Sequence, residues 1–260
     1  MTIYLTGDTH GQVIERFSYR QYPDLRNLTS DDFMFVLGDF GQPFGKTFYN
    51  EAKNVFRFLN DKPWTTIVVG GNHDDYDYWE SCPQVSFYGG VARQATFDNE
   101  IYSVFFVDHI TIFDIDNEHI LCIPKAESHD IWNLLDPEDN DFKSKKRQLK
   151  RSKQFFRVKH ESWWPQEKMD VEENMSFMEQ HEDEHFTLIL SHDAPSMITK
   201  FLSSGPGRLN PTEGERYLEV LRQYLDFEAW FHGHFHLDIG WPSQYDERIA
   251  CLYETVLQVS

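Results

Sequence analysis

Thr65-Thr66-Ile67-Val68-Val69-Gly70-Gly71-Asn72-His73-Asp74 changes character halfway along. Five β-branched residues give way to two glycines, then to an amide, an imidazole and a carboxylate. A short run of this kind, closed by a glycine turn, reads as a buried strand. The polar triplet then lies just beyond the strand end. The same pattern recurs on both sides. Ile3–Thr6 leads into Gly7-Asp8-Thr9-His10-Gly11, and Phe33–Leu37 into Gly38-Asp39-Phe40-Gly41. Thr187–Leu190 leads into Ser191-His192-Asp193, and Ala229–Phe231 into His232-Gly233-His234-Phe235-His236. Between the second and third runs, Tyr49–Asn60 puts Ala52, Val55, Phe56 and Leu59 on one helical face. Thr212-Glu213-Gly214-Glu215 has capping-box spacing and predicts a helix with Tyr217, Leu218, Leu221 and Leu225 on its apolar side. Strands alternating with helices predict a layered α/β protein, in which ligands bind at loops beyond the strand ends. All five polar clusters occupy such loops.

The middle of the chain reads differently. Ile101–Val107, Ile110–Ile115 and His119–Ile123 predict a β-meander, the last two joined at Asp116-Asn117. From about 126 to 165 the pattern predicts an irregular insertion within a single domain spanning 1–260. It contains Trp163-Trp164-Pro165, whose tryptophans are expected to pack the insertion against the core. It also holds nine of the 24 Lys and Arg residues, between Lys143 and Lys159, with no Asp or Glu among them. The rest of the chain carries 15 positive against 43 negative residues. The net charge of −19 argues against broad adhesion to nucleic acid or to an anionic membrane. The island itself reads as a solvated segment, with a patch that meets a phosphate-bearing substrate as the alternative.

No run approaches 18 apolar residues, so no membrane span is expected. Met1–Thr6 has no basic start and too short an apolar run for a signal peptide. Cys82, Cys122 and Cys251 are far apart and odd in number, which fits a reducing compartment. A cytoplasmic protein is expected.

The clusters supply Asp8 and His10, Asp39, Asn72 and His73, His192, then His234 and His236. Imidazoles, carboxylates and an amide oxygen suit divalent ions such as Mn, Fe, Co, Ni or Zn. Asp8 and His10 are two apart, as are His234 and His236, so in extended backbone each pair projects to one side. Two pairs plus single donors from three other strand ends exceed the needs of one ion. Asp39, with two oxygens, can bridge two ions roughly 3.5–4 Å apart. A lone Gly-Asp or Asn-His after a strand is usually turn chemistry. Five in order at strand ends are not.

On these motifs the chain resembles the calcineurin-like metallophosphoesterase superfamily: Asp8-Thr9-His10, Gly38-Asp39, Gly71-Asn72-His73-Asp74, His192 and Gly233-His234-Phe235-His236 stand in the expected order. Ser128-His129-Asp130 and Trp163-Trp164-Pro165 also look like a bacterial and phage-associated branch. The resemblance implies two facing mixed β-sheets flanked by helices. It implies that one metal takes Asp8, His10, Asp39 and His236, the other Asp39, Asn72, His192 and His234. His73 would then sit over the phosphate rather than bind metal. One departure matters. The phosphoprotein phosphatase branch continues Gly-Asp-x-x-Asp-Arg-Gly, where this chain has Gly38-Asp39-Phe40-Gly41-Gln42-Pro43-Phe44. The Asp that would orient the catalytic His is absent, as is the phosphate-gripping Arg. Asp74 is the nearest candidate to act with His73.

The expected activity is hydrolysis of a phosphate ester by hydroxide generated between two divalent ions, manganese first, with Fe, Zn, Ni or Co as alternatives. Asp39 would be needed to hold them, and His73 would assist the leaving group. The expected substrate is small and nucleotide-like, cut as a diester or monoester. A nuclease guided by the Lys143–Lys159 island is the second reading, and a non-catalytic metal-binding scaffold the third. His129, Asp130 and Arg208 are expected to line the substrate cleft. His232 is expected to be buried, and Asp193 to cap its loop.

Overall fold

The computed structural model describes all residues except 130, 203–209 and 241–245. In chain order the strands are β1 (Ile3–Thr6), β2 (Phe33–Val36), β3 (Thr65–Val69), β4 (Gln84–Phe87), β5 (Gly90–Phe97), β6 (Glu100–Val107), β7 (Thr111–Ile115) and β8 (Glu118–Ile123). They continue with β9 (Leu134–Leu135), β10 (Arg157–Val158), β11 (His185–Ser191), β12 (Asp226–His232), β13 (Ile239–Gly240), β14 (Ile249–Cys251) and β15 (Val256–Gln258). The helices are α1 (Val13–Arg16), α2 (Tyr49–Asn60), α3 (Tyr76–Ser81), α4 (Phe142–Arg151), α5 (Val171–Met178), α6 (Ser196–Leu202) and α7 (Glu213–Tyr224).

Two mixed sheets result, ordered β15-β1-β2-β3-β6-β5-β4 and β13-β14-β12-β11-β8-β7 among the described residues. They pack face to face. Leu5, Phe35, Ile67 and Val69 of the first sheet meet Ile120, Cys122, Leu188 and Leu190 of the second. The residues between these, Met34, Val36 and Val68, point outward onto Ala52, Val55, Phe56 and Leu59 of α2. On the other outer face, Leu121, Ile123, Ile189 and Trp230 pack against Tyr217, Leu218 and Leu221 of α7. Strands covered on both faces must be apolar throughout, which is why their sequences run without alternation. Each buried α2 side chain larger than alanine contributes about 1.5–3 kcal/mol, so packing rather than helix propensity holds α2 in place. The capping box at Thr212 and Glu215 is complete, which explains where α7 begins.

β1, β2 and β3 run parallel, as do β8, β11 and β12. Their registers pair Thr6 with Val36, and Ser191 with both Ile123 and His232. The strands of each sheet therefore end level, and the loops that follow start from one edge.

Three expectations need correction. β6, β7 and β8 do not form a meander. β6 lies in the first sheet between β3 and β5, while β7 and β8 pair in the second. The buried end of β6, Val104–Val107, is apolar on both faces and suits a central strand beside β3. Strand pattern shows where a strand is, not which partner it takes. The β4–β5 hairpin of the first sheet has no counterpart among the predicted strands. Finally, the 126–165 stretch is not irregular throughout. Its basic island forms α4, and β9 and β10 pair as a small parallel ribbon. None of the α4 residues is fully buried, and with only Phe142 and Leu149 apolar on its half-buried side the sequence marks this helix weakly. The pair Asp141–Lys145, 3.0 Å apart and four residues on, is its one local sign. Trp163 and Trp164 are buried, and Trp164 joins the α2 core. No helix among the described residues is long and apolar enough to cross a membrane.

Candidate metal centre

The loops after β1, β2, β3, β11 and β12 meet where the two sheets end. They are fastened to each other through the backbone. His10 N donates to Asp39 O at 2.8 Å, Gly11 N to Phe40 O at 2.9 Å and Gly233 N to His192 O at 3.1 Å. Buried Arg16 donates to Thr6 Oγ1 at 2.7 Å and to Asp8 O at 3.3 Å, tying the first loop to its own strand. Gly38 has φ +86°, and a Cβ there would overlap the His192 ring, so this position admits only glycine.

Four donors form one cluster. One ligand atom each from Asp8, His10, Asp39 and His236 lies within 4.8 Å of all the others. His10 Nε2 and His236 Nε2 are 2.8 Å apart, and His236 Nε2 is 3.1 Å from Asp8 Oδ2. A second group adjoins it. His192 Nε2 lies 3.0 Å from Asn72 Oδ1 and 3.2 Å from Asp39 Oδ1, and its ring centroid is 4.9 Å from that of His234. Asp39 faces both groups, with Oδ1 toward His192 and Oδ2 toward His10 at 3.9 Å.

The expectation that each i, i+2 pair projects to one side fails for His234 and His236. His236 joins Asp8 and His10, whereas His234 lies beside His192 and His129. The backbone is not extended here: His10, Asp39, His234 and His236 have φ of 44°, 47°, 69° and 54°. Non-glycine residues rarely adopt this left-handed region, and such strain collects at functional sites.

Do these residues fit divalent cations? His192 Nδ1 donates to Leu37 O at 2.7 Å, since a carbonyl can only accept. In a neutral ring this would turn a bare Nε2 toward two oxygens. Only positive charge between them satisfies all three atoms. Burial disfavours a proton on His192, yet the Asp39 charge and hydrogen bond prevail and raise it to about 10. A divalent ion would serve the same three atoms. Burial would raise Asp39, but His192, His73 and His10 hold it well below the usual carboxylate range, and thus ionised. Burial and then the His192 charge keep His234 well below the usual imidazole range, and thus neutral. His234 Nε2 is buried without a hydrogen-bond partner, and Asp8 Oδ2, also buried, has only the His236 ring nitrogen at 3.1 Å beside it. The donor set and its orphaned nitrogen fit cations.

His73 is half-buried, with its ring centroid 5.5 Å from that of His10. Two cavities meet at it. One, about 270 Å³, is lined by Asn72, His129, His234 and Phe235 among others. The other, about 380 Å³, is lined by His10, Gln42, Phe44, Phe48 and Arg157. His129 therefore reaches the cleft. Asp130 and Arg208 lie outside the described residues. Asp74 differs from expectation. Its two oxygens accept from Gly41 N at 2.9 Å and Gly71 N at 2.8 Å, so it braces two loops instead of orienting the His73 ring. Burial, then the Asp39 charge, push its carboxyl up to about 7. His232 is buried and pushed down to about 4 by that burial, and Asp193 Oδ1 accepts from Ala194 N at 2.8 Å, capping its loop.

Residues 1–238 match the family described as calcineurin-like phosphoesterase. This chain belongs to that family. It is thereby a hydrolase acting on phosphate esters, and the scaffold alternative falls. No protein of curated function matches the chain. Among solved structures, it is similar to the phosphopantetheinyl hydrolase PptH from Mycobacterium tuberculosis, at 13% identity and TM-score 0.44 over 97% of this chain and 89% of that one. It is also similar to a candidate 5′-nucleotidase from Staphylococcus aureus solved with α-ketoglutarate, at 14% identity and TM-score 0.45. There it covers 97% of this chain and 48% of the other, so it spans about half that protein's length. Likeness at this level carries no argument about substrate.

Sequence reasoning passes over Arg157, Phe44 and Phe48 in the cleft, and Ser128 and Glu167 behind Asn72. Arg157 is hidden among eight other basic residues, Phe48 and Glu167 stand in no motif, and Ser128 and Phe44, though quoted with their neighbours, carry no signal of these roles.

Proposed function

We propose that this phosphoesterase is dinuclear and hydrolyses a small, nucleotide-like phosphate ester. The carrying observation is Asp39, whose two oxygens face the Asp8–His10–His236 cluster on one side and His192 on the other. Asp8, His10, Asp39 and His236 would hold one ion, and Asp39, Asn72, His192 and His234 the second, with manganese the first candidate. Bound there, two ions supply Lewis acidity and an activated water. The chain supplies placement. Asp39 and Asp8 are rigidly held, Oδ1 of each accepting a backbone N–H, from His73 at 2.7 Å and His234 at 2.9 Å. His73, at the junction of the two cavities, would neutralise a phosphoryl oxygen and carry the proton to the leaving oxygen. Phe48, 45% exposed, offers a stacking face to a planar leaving group, and Arg157 offers it a positive charge. Three buried free thiols suit a reducing, cytoplasmic setting.

The test is hydrolysis of bis-p-nitrophenyl phosphate against p-nitrophenyl phosphate by chelator-stripped protein supplied with Mn²⁺, Ni²⁺, Co²⁺ or Zn²⁺. Metal-restored diester cleavage, with two ions bound, is the expected result. Failure of every metal to restore either reaction would overturn the reading.

A second reading has its own observation. Beyond Phe44 and Phe48 the cleft opens into a cavity of about 670 Å³ lined by Lys46, Lys146, Lys150 and Lys159, of which Lys146 pairs with Glu161 and Lys159 with Asp136. A groove with this charge beside the same centre suits a polynucleotide strand.

A further inference from the structure

We infer that Ser128 and Glu167 are positioning residues that aim the amide oxygen of Asn72 at the second ion. This rests on the two-ion reading above. The three side chains are buried, with relative exposures of 4% for Asn72, 8% for Ser128 and 1% for Glu167. Ser128 N donates to Glu167 Oε1 at 2.7 Å, Ser128 Oγ donates to Glu167 Oε2 at 2.8 Å, and Asn72 Nδ2 donates to Ser128 Oγ at 3.0 Å. At the far end of the chain, Asn72 Oδ1 faces His192 Nε2 at 3.0 Å.

The direction of this chain follows from counting protons. Burial pushes the Glu167 carboxyl up to about 7; above that pH it is ionised and can only accept, and a hydroxyl has one proton to give. Glu167 takes that proton, so the Ser128 oxygen has only lone pairs left for Asn72. Only the NH₂ end of the amide can meet a lone pair. The carbonyl end is thereby turned to the donor cluster. Shape alone would not choose, because the two ends of an amide are nearly the same size, and hydrogen-bond partners decide. Reversed, Asn72 would present two N–H groups to a cation. Partners that orient a metal ligand in this way are worth about 10–100-fold in metal affinity.

The placement of the pair gives the insertion a role. Ser128 stands five residues past the end of β8, and Glu167 closes the short helical turn Pro165–Glu167. The segment between them carries β9, α4 and β10, so it leaves the core and returns to it at one point behind Asn72. The hydrogen bonds between Ser128 and Glu167 close that base. Glu167 stands 39 residues from Ser128 and 95 from Asn72, so no local pattern joins them.

The experiment is calorimetric titration of Mn²⁺ into chelator-stripped wild type, Ser128→Ala, Ser128→Thr and Glu167→Gln, with bound metal counted by mass spectrometry. Glu167→Gln is nearly isosteric but reverses the chain. Ser128 N–H still needs the side-chain oxygen, so the new NH₂ faces Ser128 Oγ, and the hydroxyl proton turns toward Asn72. Wild type should bind two ions. Ser128→Ala and Glu167→Gln should bind one ion as wild type does and the other about 10–100-fold more weakly. Ser128→Thr, which keeps the hydroxyl, should bind both. Should Glu167→Gln not fold, the contrast between Ser128→Ala and Ser128→Thr decides. Two ions bound normally by Ser128→Ala, or both weakened alike, would overturn the inference. A wild type that takes fewer than two ions would instead overturn the two-ion reading.

Discussion

The backbone N–H of His73 donates to Asp39 Oδ1 at 2.7 Å, and the same oxygen lies 3.2 Å from His192 Nε2. The loop that carries the proposed acid therefore hangs from the carboxylate that faces both donor groups. Positioning of His73 and assembly of the donor cluster share one atom.

That sharing separates two variants. His73→Ala removes the ring but not the backbone donor, so both ions should remain while kcat falls about 10²–10⁴-fold. Asp39→Ala removes the support of both and should lose metal and turnover together. Metal content by mass spectrometry beside diester turnover tests this. Near-normal turnover in His73→Ala would remove it from the mechanism.

Asp74 braces the β2 and β3 loops through Gly41 N and Gly71 N. Asp74→Ala leaves two buried donors without an acceptor, at about 1–3 kcal/mol each. Calorimetry should show a melting temperature lower by about 2–4 °C per kcal/mol lost. A melt matching wild type would mean that water replaces the carboxylate and the brace is dispensable.

The polynucleotide reading turns on which lysines face the groove. Lys146 and Lys150 line it, Lys146 paired there with Glu161 at 3.0 Å, whereas Lys145 pairs with Asp141 away from the groove lining. Neutralising Lys146 and Lys150 to Gln should weaken single-strand binding and lower the salt slope by about 1 per residue. Lys145→Gln should change neither. Equal effects at all three positions would point to a diffuse field and remove the groove.

His232 sets a pH dependence. Buried beside Gly233, it titrates at about 4 in the fold, below its ordinary value of 6.5. The unfolded chain therefore takes up the proton first. Stability present above pH 6.5 is lost as pH falls toward 4, by on the order of 3 kcal/mol from this group. Urea unfolding of chelator-stripped protein should show a shallower loss over this window in His232→Gln than in wild type. Identical slopes would show that other groups carry the acid sensitivity.

α2 and α7 are legible in the sequence because packing of one apolar face, and in α7 a local cap, decides them. α4 is nearly silent because only Phe142, Lys146 and Leu149 are even half-buried. β6 is visible as a strand, but its partner β3 lies more than 30 residues back, and its place in the first sheet depends on that contact. Asp74 is adjacent to His73 in sequence, yet its oxygens point to two glycine amides on separate loops. Adjacency fixes distance along the chain and leaves side-chain direction open.

By itself the sequence determined the donor types, their order and their attachment to strand ends, because each donor follows its strand within a few residues and strand patterning is local. That His234 and His236 serve different ions, with Asp39 common to both, is what the family resemblance implied; only the tertiary structure decided how the backbone turns these side chains apart, which Asp39 oxygen faces which group, and that Ser128 and Glu167 stand behind Asn72. Those outcomes depend on left-handed backbone at His10, Asp39, His234 and His236, and on hydrogen bonds between segments far apart in sequence. Local pattern carries no information about either, because both exist only once the two sheets have packed and their loops share one edge.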